Sequence, residues 1–165
     1  MEESLQAWSG FNVAMVGATA ALAGLVIVAA SVNIAKIIEL GSSSLIARLA
    51  SGIASLVLAL IASGLALVPG ITAPWLGAIL VVATAGSAVF QVNAARAILS
   101  DHDPAARAKV PKSVLGFLPV VAYLASGVAV LMGHPAGLYL GAAGCILAVI
   151  AAIVVSWVAL VEVLR

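Results

Sequence analysis

Apolar residues along the chain fall into five long runs, and most of the charges lie between or beyond them. The runs are Phe11 to Ile38, Leu49 to Val68, Thr72 to Ile98, Val114 to Met132 and Gly137 to Leu164. Each is near or above the roughly 20 residues that a helix needs to cross hydrocarbon. None shows the apolar–polar alternation of a membrane strand, and in lipid every backbone N–H and C=O must be paired. The pattern therefore predicts an all-α polytopic membrane protein with five transmembrane helices, forming one membrane domain over residues 1–165.

Composition strengthens this expectation. The chain is 65% hydrophobic and 8% charged, with a mean hydropathy of +1.30. Soluble domains are typically about half apolar and a quarter charged. The opening residues, "MEESLQAWSG", are acidic and do not read as a cleaved signal peptide.

The net charge of +1 says little, whereas the placement of the charges says more. With five spans, all seven cations fall on one side: Lys36 and Arg48 flank the first connection, Arg96, Arg107, Lys109 and Lys112 the third, and Arg165 ends the chain. The positive-inside rule then predicts an N-terminus outside and a C-terminus in the cytoplasm. Trp8, Trp75 and Tyr139 fall at the predicted outer boundary and Trp157 near the inner one, as amphipathic rings prefer.

Two pairs of segments suggest an internal repeat. "VNIAKII" at 32–38 matches "VNAARAI" at 92–98, and "ASGLALVPG" at 62–70 matches "ASGVAVLMG" at 125–133. The offsets are 60 and 63, a difference that three extra residues in the loop "SDHDPAARAKVPKS" would supply. The expected units are residues 11–70 and 72–133, with a fifth helix at 137–164. Each unit holds an even number of spans, so the copies would be related by an axis along the membrane normal.

The chain offers little reactive chemistry. None of its acids lies at the centre of a predicted span: Glu2 and Glu3 lie outside, Glu39 and Glu162 near helix ends, and Asp101 and Asp103 in a loop. Proton-coupled carriers and pumps usually place ionisable groups within the membrane. His102 and His134 are expected on opposite faces and cannot share a metal, and "DHD" at 101–103 reads as a solvated loop. Cys145 reads as an inert small hydrophobe. No catalytic residue, cofactor or metal site is expected, and no enzymatic activity. Arg107, Lys109 and Lys112 suit anionic lipid and topology better than nucleic acid.

Two sets of residues remain as candidate sites. Asn33 with Lys36, and Asn93 with Arg96, place an amide one turn before a cation at the same predicted depth. They would serve as interhelical contacts, with the cations reaching into the headgroup layer, or as a paired polar site for a lipid headgroup or anion. Gly17, Ala21 and Gly24 in the first span, and Gly137 and Gly141 in the fifth, have the spacing of close-packing helix faces. Ser63-Gly64 and Ser126-Gly127 recur in the even spans, and Pro119 is expected to kink the fourth and open a local cavity.

The stretch "GFNVAMVGATAALAGLVIVAASVNIAKII" resembles the first span of small uncharacterised bacterial multi-spanning membrane proteins. The resemblance rests on Gly17, Ala18, Ala21, Leu22, Gly24 and the ending Ser31-Val32-Asn33. It implies a bacterial inner membrane and carries no activity. Two functions fit these features. One is a structural or interaction protein that forms a homo-oligomer or joins a larger membrane complex, with membrane lipids as its surroundings. The other is a small channel or facilitator for a neutral or anionic solute or lipid headgroup.

Overall fold

A computed structural model describes residues 2–39, 43–100 and 109–164. The described residues are helical apart from short turns: α1 (Glu2–Ala7), α2 (Ser9–Val32), α3 (Ile34–Glu39), α4 (Ser43–Leu65), α5 (Ala73–Ser100), α6 (Lys109–Leu131) and α7 (Ala136–Leu164). Four helices hold segments long and apolar enough to cross a membrane: Ser9–Val32, Leu45–Leu65, Ala73–Ala97 and Ala136–Val158. The fourth predicted span is present as a shorter apolar stretch, Leu115–Leu131, within α6. Pro119 is fully buried there, and α6 continues through it.

The first predicted span is interrupted. Asn33 leaves the helix at φ −100° and ψ 12°. Its Nδ2 donates to the Ala29 carbonyl at 2.8 Å, and Ser31 Oγ donates to the Ile27 carbonyl at 2.8 Å. Such back-bonding side chains compete with the backbone ladder and bend helices. The chain resumes at once as α3, which places Ile37 against Leu45 of α4.

Helices α4, α5, α6 and α7 close a ring in which each packs on the next and α7 returns to α4. Helix α2 lies outside the ring, against α4 and more lightly against α7. Burial follows the sequences. In its apolar window α4 is 44% buried and α2 only 6%. The polar residues Arg48, Ser51, Ser55 and Ser63 of α4 are all buried, whereas α2 is apolar almost all round and buries only Asn12 and Thr19.

The turns at one end are set by glycine. Gly70 and Gly133 have φ of +73° and +74°, which L side chains adopt at a cost. At the end of α6, His134 N–H donates to the Ala129 carbonyl and Gly133 N–H to the Val130 carbonyl, both at 2.9 Å. This is a Schellman closure. Trp8 stacks edge-on against Tyr139, with centroids 4.9 Å apart, at this same end. The opposite end carries Lys36, Arg48 and Arg96. The two are called the aromatic end and the cation end below.

The ring is held by close backbone approach. A Cβ on Gly137 would lie 2.6 Å from Val130 Cγ2, 2.9 Å from Val130 N and 3.0 Å from the Ser126 carbonyl. A Cβ on Gly77 would lie 2.8 Å from the Gly127 carbonyl. Gly137→Ala should therefore push α7 from α6 and lower stability by about 1–3 kcal/mol. Gly86→Ala, which meets nothing within 4 Å, should be neutral or mildly stabilising. Thermal unfolding of both variants in one detergent tests the contrast.

Candidate functional site

At the cation end the ring encloses a polar cluster. Arg48, Ser51 and Ser55 follow one another at spacings of three and four on α4, so they share a face, and all are buried. Thr84, Ser87 and Gln91 repeat this spacing on α5 and are buried too. Gln91 joins the helices: its Nε2 donates to Ser55 Oγ at 2.8 Å and to the Ser51 carbonyl at 3.1 Å. Ser55 Oγ donates to the same carbonyl at 3.1 Å, and Ser51 Oγ to the Arg48 carbonyl at 2.8 Å.

Helix α6 supplies the space for Gln91. A Cβ on Gly116 would lie 2.6 Å from Gln91 Oε1, so a side chain here would have to displace the amide from its bonded position. Beside the cluster is a cavity of about 40 Å³ lined by Arg48, Ser51, Gln91, Gly116, Val155 and other residues of α5, α6 and α7. A second cavity of about 40 Å³ lies at the aromatic end, lined by Asn12, Ser63, Tyr123 and Gly141 among others. Each is large enough for about one water molecule. Between them the ring is filled by Leu58, Ala59, Tyr123, Cys145 and Ala148.

The residues singled out in the sequence are not brought together in this way. Asn33 is half-buried and bonded to its own helix, and Lys36 is exposed. Asn93 and Arg96 are exposed on an unbroken α5. The two pairs stand on helices that α4 separates. Gly137 and Gly141 pack inside the chain, the latter with a Cβ position 3.0 Å from Ser126 Oγ. Gly17 and Gly24 meet nothing within 4 Å, and with Ala21 they lie on the exposed face of α2. Asp101, His102, Asp103 and Arg107 lie outside the described residues. Among the described residues, no three His, Cys, Asp or Glu side chains stand close enough to hold a metal ion.

The sequence reading passed over the Arg48–Gln91 cluster. Its trace in the sequence is a polar stripe at spacing three and four in each of α4 and α5. No family model, curated protein or solved structure matches the chain.

The cluster yields a coupling test. Gly116→Ala should destabilise the protein by about 1–3 kcal/mol. Gln91→Ala removes two interhelical hydrogen bonds, each about 0.6 kcal/mol in membranes, and should cost about 1 kcal/mol or more. In a Gln91→Ala background the obstructing oxygen is gone, so Gly116→Ala should cost less. A double-mutant cycle on thermal stability measures this, and additivity would deny the contact.

Proposed function

We propose that the chain is a non-enzymatic membrane interaction protein that self-associates or docks into a larger membrane complex through the outward face of α2. The observation that carries this reading is a contrast between glycines. Gly77, Gly127, Gly137 and Gly141 meet neighbouring helices of their own chain. Gly10, Gly17 and Gly24 of α2 meet nothing within 4 Å. With Ala14 and Ala21 they form an exposed ridge at spacings of four and three. Small-residue faces let helices approach closely, and in lipid that approach supplies much of the attraction.

The fold also supports the finer architecture. Five spans follow if the polar first turns of α6 lie in the headgroup layer and Leu115–Leu131 crosses the hydrocarbon. A tandem repeat is supported by Gly70 and Gly133, which align in it and share a left-handed conformation. Ser63 and Ser126 also align, and both are buried against α7: Ser63 Oγ lies 3.8 Å from Cys145 Sγ, and Ser126 Oγ donates to the Gly137 carbonyl at 2.7 Å. Ser126 Oγ also lies beside Gly141, one turn before Cys145, so the rotation relating the units would carry an offset of about one turn along the normal. Asn33 at a helix break and Asn93 within a helix mark a further divergence. The one-sided cations favour placing the cation end in the cytoplasm. An externally applied thiol reagent should then label a cysteine placed at Ser4 or His134 in intact cells, and label one at Asp103 only after the cells are opened.

The second reading is a facilitator for a neutral or anionic solute, favoured by buried Arg48 and Gln91 beside a cavity. The mass of the detergent-solubilised particle separates the two. The interaction reading predicts an oligomer or a captured partner, which Gly17→Leu and Gly24→Leu weaken without abolishing membrane insertion. A wild-type monomer across mild detergents and nanodiscs, with no partner retained, would remove that reading and favour the facilitator.

A further inference from the structure

Where α2 leans away from α7 near the cation end, an open apolar groove of about 370 Å³ remains. Leu22, Leu25 and Val26 of α2 and Ile153 of α7 line it toward the membrane centre, and Ala29, Ala30, Ile37, Ser156 and Trp157 line it toward the cation end. We propose that this groove binds one anionic phospholipid, with an acyl chain along α2 and α7 and the phosphate at Lys36.

Three observations at three depths converge on that ligand. The deep part of the groove is purely aliphatic, which suits a hydrocarbon chain and nothing polar. At the next level Ser156 Oγ is buried and has no hydrogen-bond partner within the chain. An unbonded hydroxyl in a low-dielectric setting is costly. Trp157, the next residue, is 69% exposed, and exposed Trp rings sit at the membrane interface. That is the depth of lipid ester carbonyls, and the Ser156 hydroxyl, turned from its buried rotamer into the groove, would donate a hydrogen bond to one. Lys36 precedes the lining residue Ile37 on α3 and is exposed. Its ammonium can reach a phosphate in the headgroup layer. Past the Asn33 break, Ile37 of α3 lines the groove beside Ala29 and Ala30 of α2. Glu39, on the following turn, is also exposed and disfavours an anion placed beyond Lys36.

The proposal does not depend on self-association, and its test is read separately from particle mass. The protein is purified in mild detergent and exchanged into phosphatidylcholine nanodiscs with a minor fraction of phosphatidylglycerol. The lipid retained after renewed detergent extraction is then quantified by native mass spectrometry. Wild type should retain phosphatidylglycerol over phosphatidylcholine. Lys36→Gln should lower that preference about fivefold, the effect of one lysine near an anionic surface. Arg96→Gln, an exposed cation on α5 at the same end, should leave it unchanged. Ala29→Leu with Ala30→Leu, which fills the groove, should abolish retention of the bound lipid, and Ser156→Ala should weaken it for both headgroups. Unfolding temperatures confirm that each variant is folded.

Absence of any preference in wild type would overturn the proposal. So would an equal effect of Arg96→Gln, which would mean general surface charge. Undiminished retention in the groove-filled protein would overturn it too, and if particle mass fell at the same time, the groove would belong to a second copy.

Discussion

Helices in a bilayer gain nothing by hiding apolar surface from lipid tails that are equally apolar, so backbones must come close or bond across. This constraint organises the chain. Gly77 faces Gly127 where α5 meets α6, and Gly137 and Gly141 face Ser126 and Val130 where α6 meets α7. At each place a Cβ would strike backbone or a buried side chain. The ring of α4, α5, α6 and α7 is tight because these four glycines have no side chain. Each contact also sets the rotation of its helix and so determines which residues face inward.

That rotation turns the polar stripes of α4 and α5 inward. Gln91 spans the two helices and fits because Gly116 leaves it room on the third side. Small residues and hydrogen bonds thus act on the same helices, the first admitting the second. Helix α2 escapes this logic: its inward face offers Asn12 and Thr19, with Thr19 Oγ1 donating to its own helix at the Met15 carbonyl, 2.6 Å away. Its glycines face outward. A helix held on one side and small on the other is suited to another helix, which is why the interaction reading rests on α2 and not on α7.

The helical class and the approximate course of four long apolar helices were legible in the sequence, because length and hydropathy alone decide them. The interruption at Asn33 was not, since an apolar run continues on both sides and the break shows only in the geometry of Asn33, where the side chains of Ser31 and Asn33 bond to the Ile27 and Ala29 carbonyls one turn earlier. Asn33, Lys36, Asn93 and Arg96 stand out because they recur in the sequence, yet recurrence does not report facing direction. The Arg48–Gln91 cluster shows the reverse: neither stripe is conspicuous alone, and only the packing of α4 on α5 joins them. Gly17 and Gly137 have the same spacing pattern and different fates, which depend on which helix lies alongside.

The outward ridge of α2 is tested most directly by cross-linking in native membranes. In a Cys145→Ser background, single cysteines are placed at Ala21 on the ridge, at Thr19 on the buried face, and at Val82, an exposed site on α5. The account predicts a cross-linked dimer, or a covalent adduct with one partner, from Ala21→Cys and not from Thr19→Cys or Val82→Cys. No adduct at Ala21, or equal adducts at Ala21 and Val82, would contradict it.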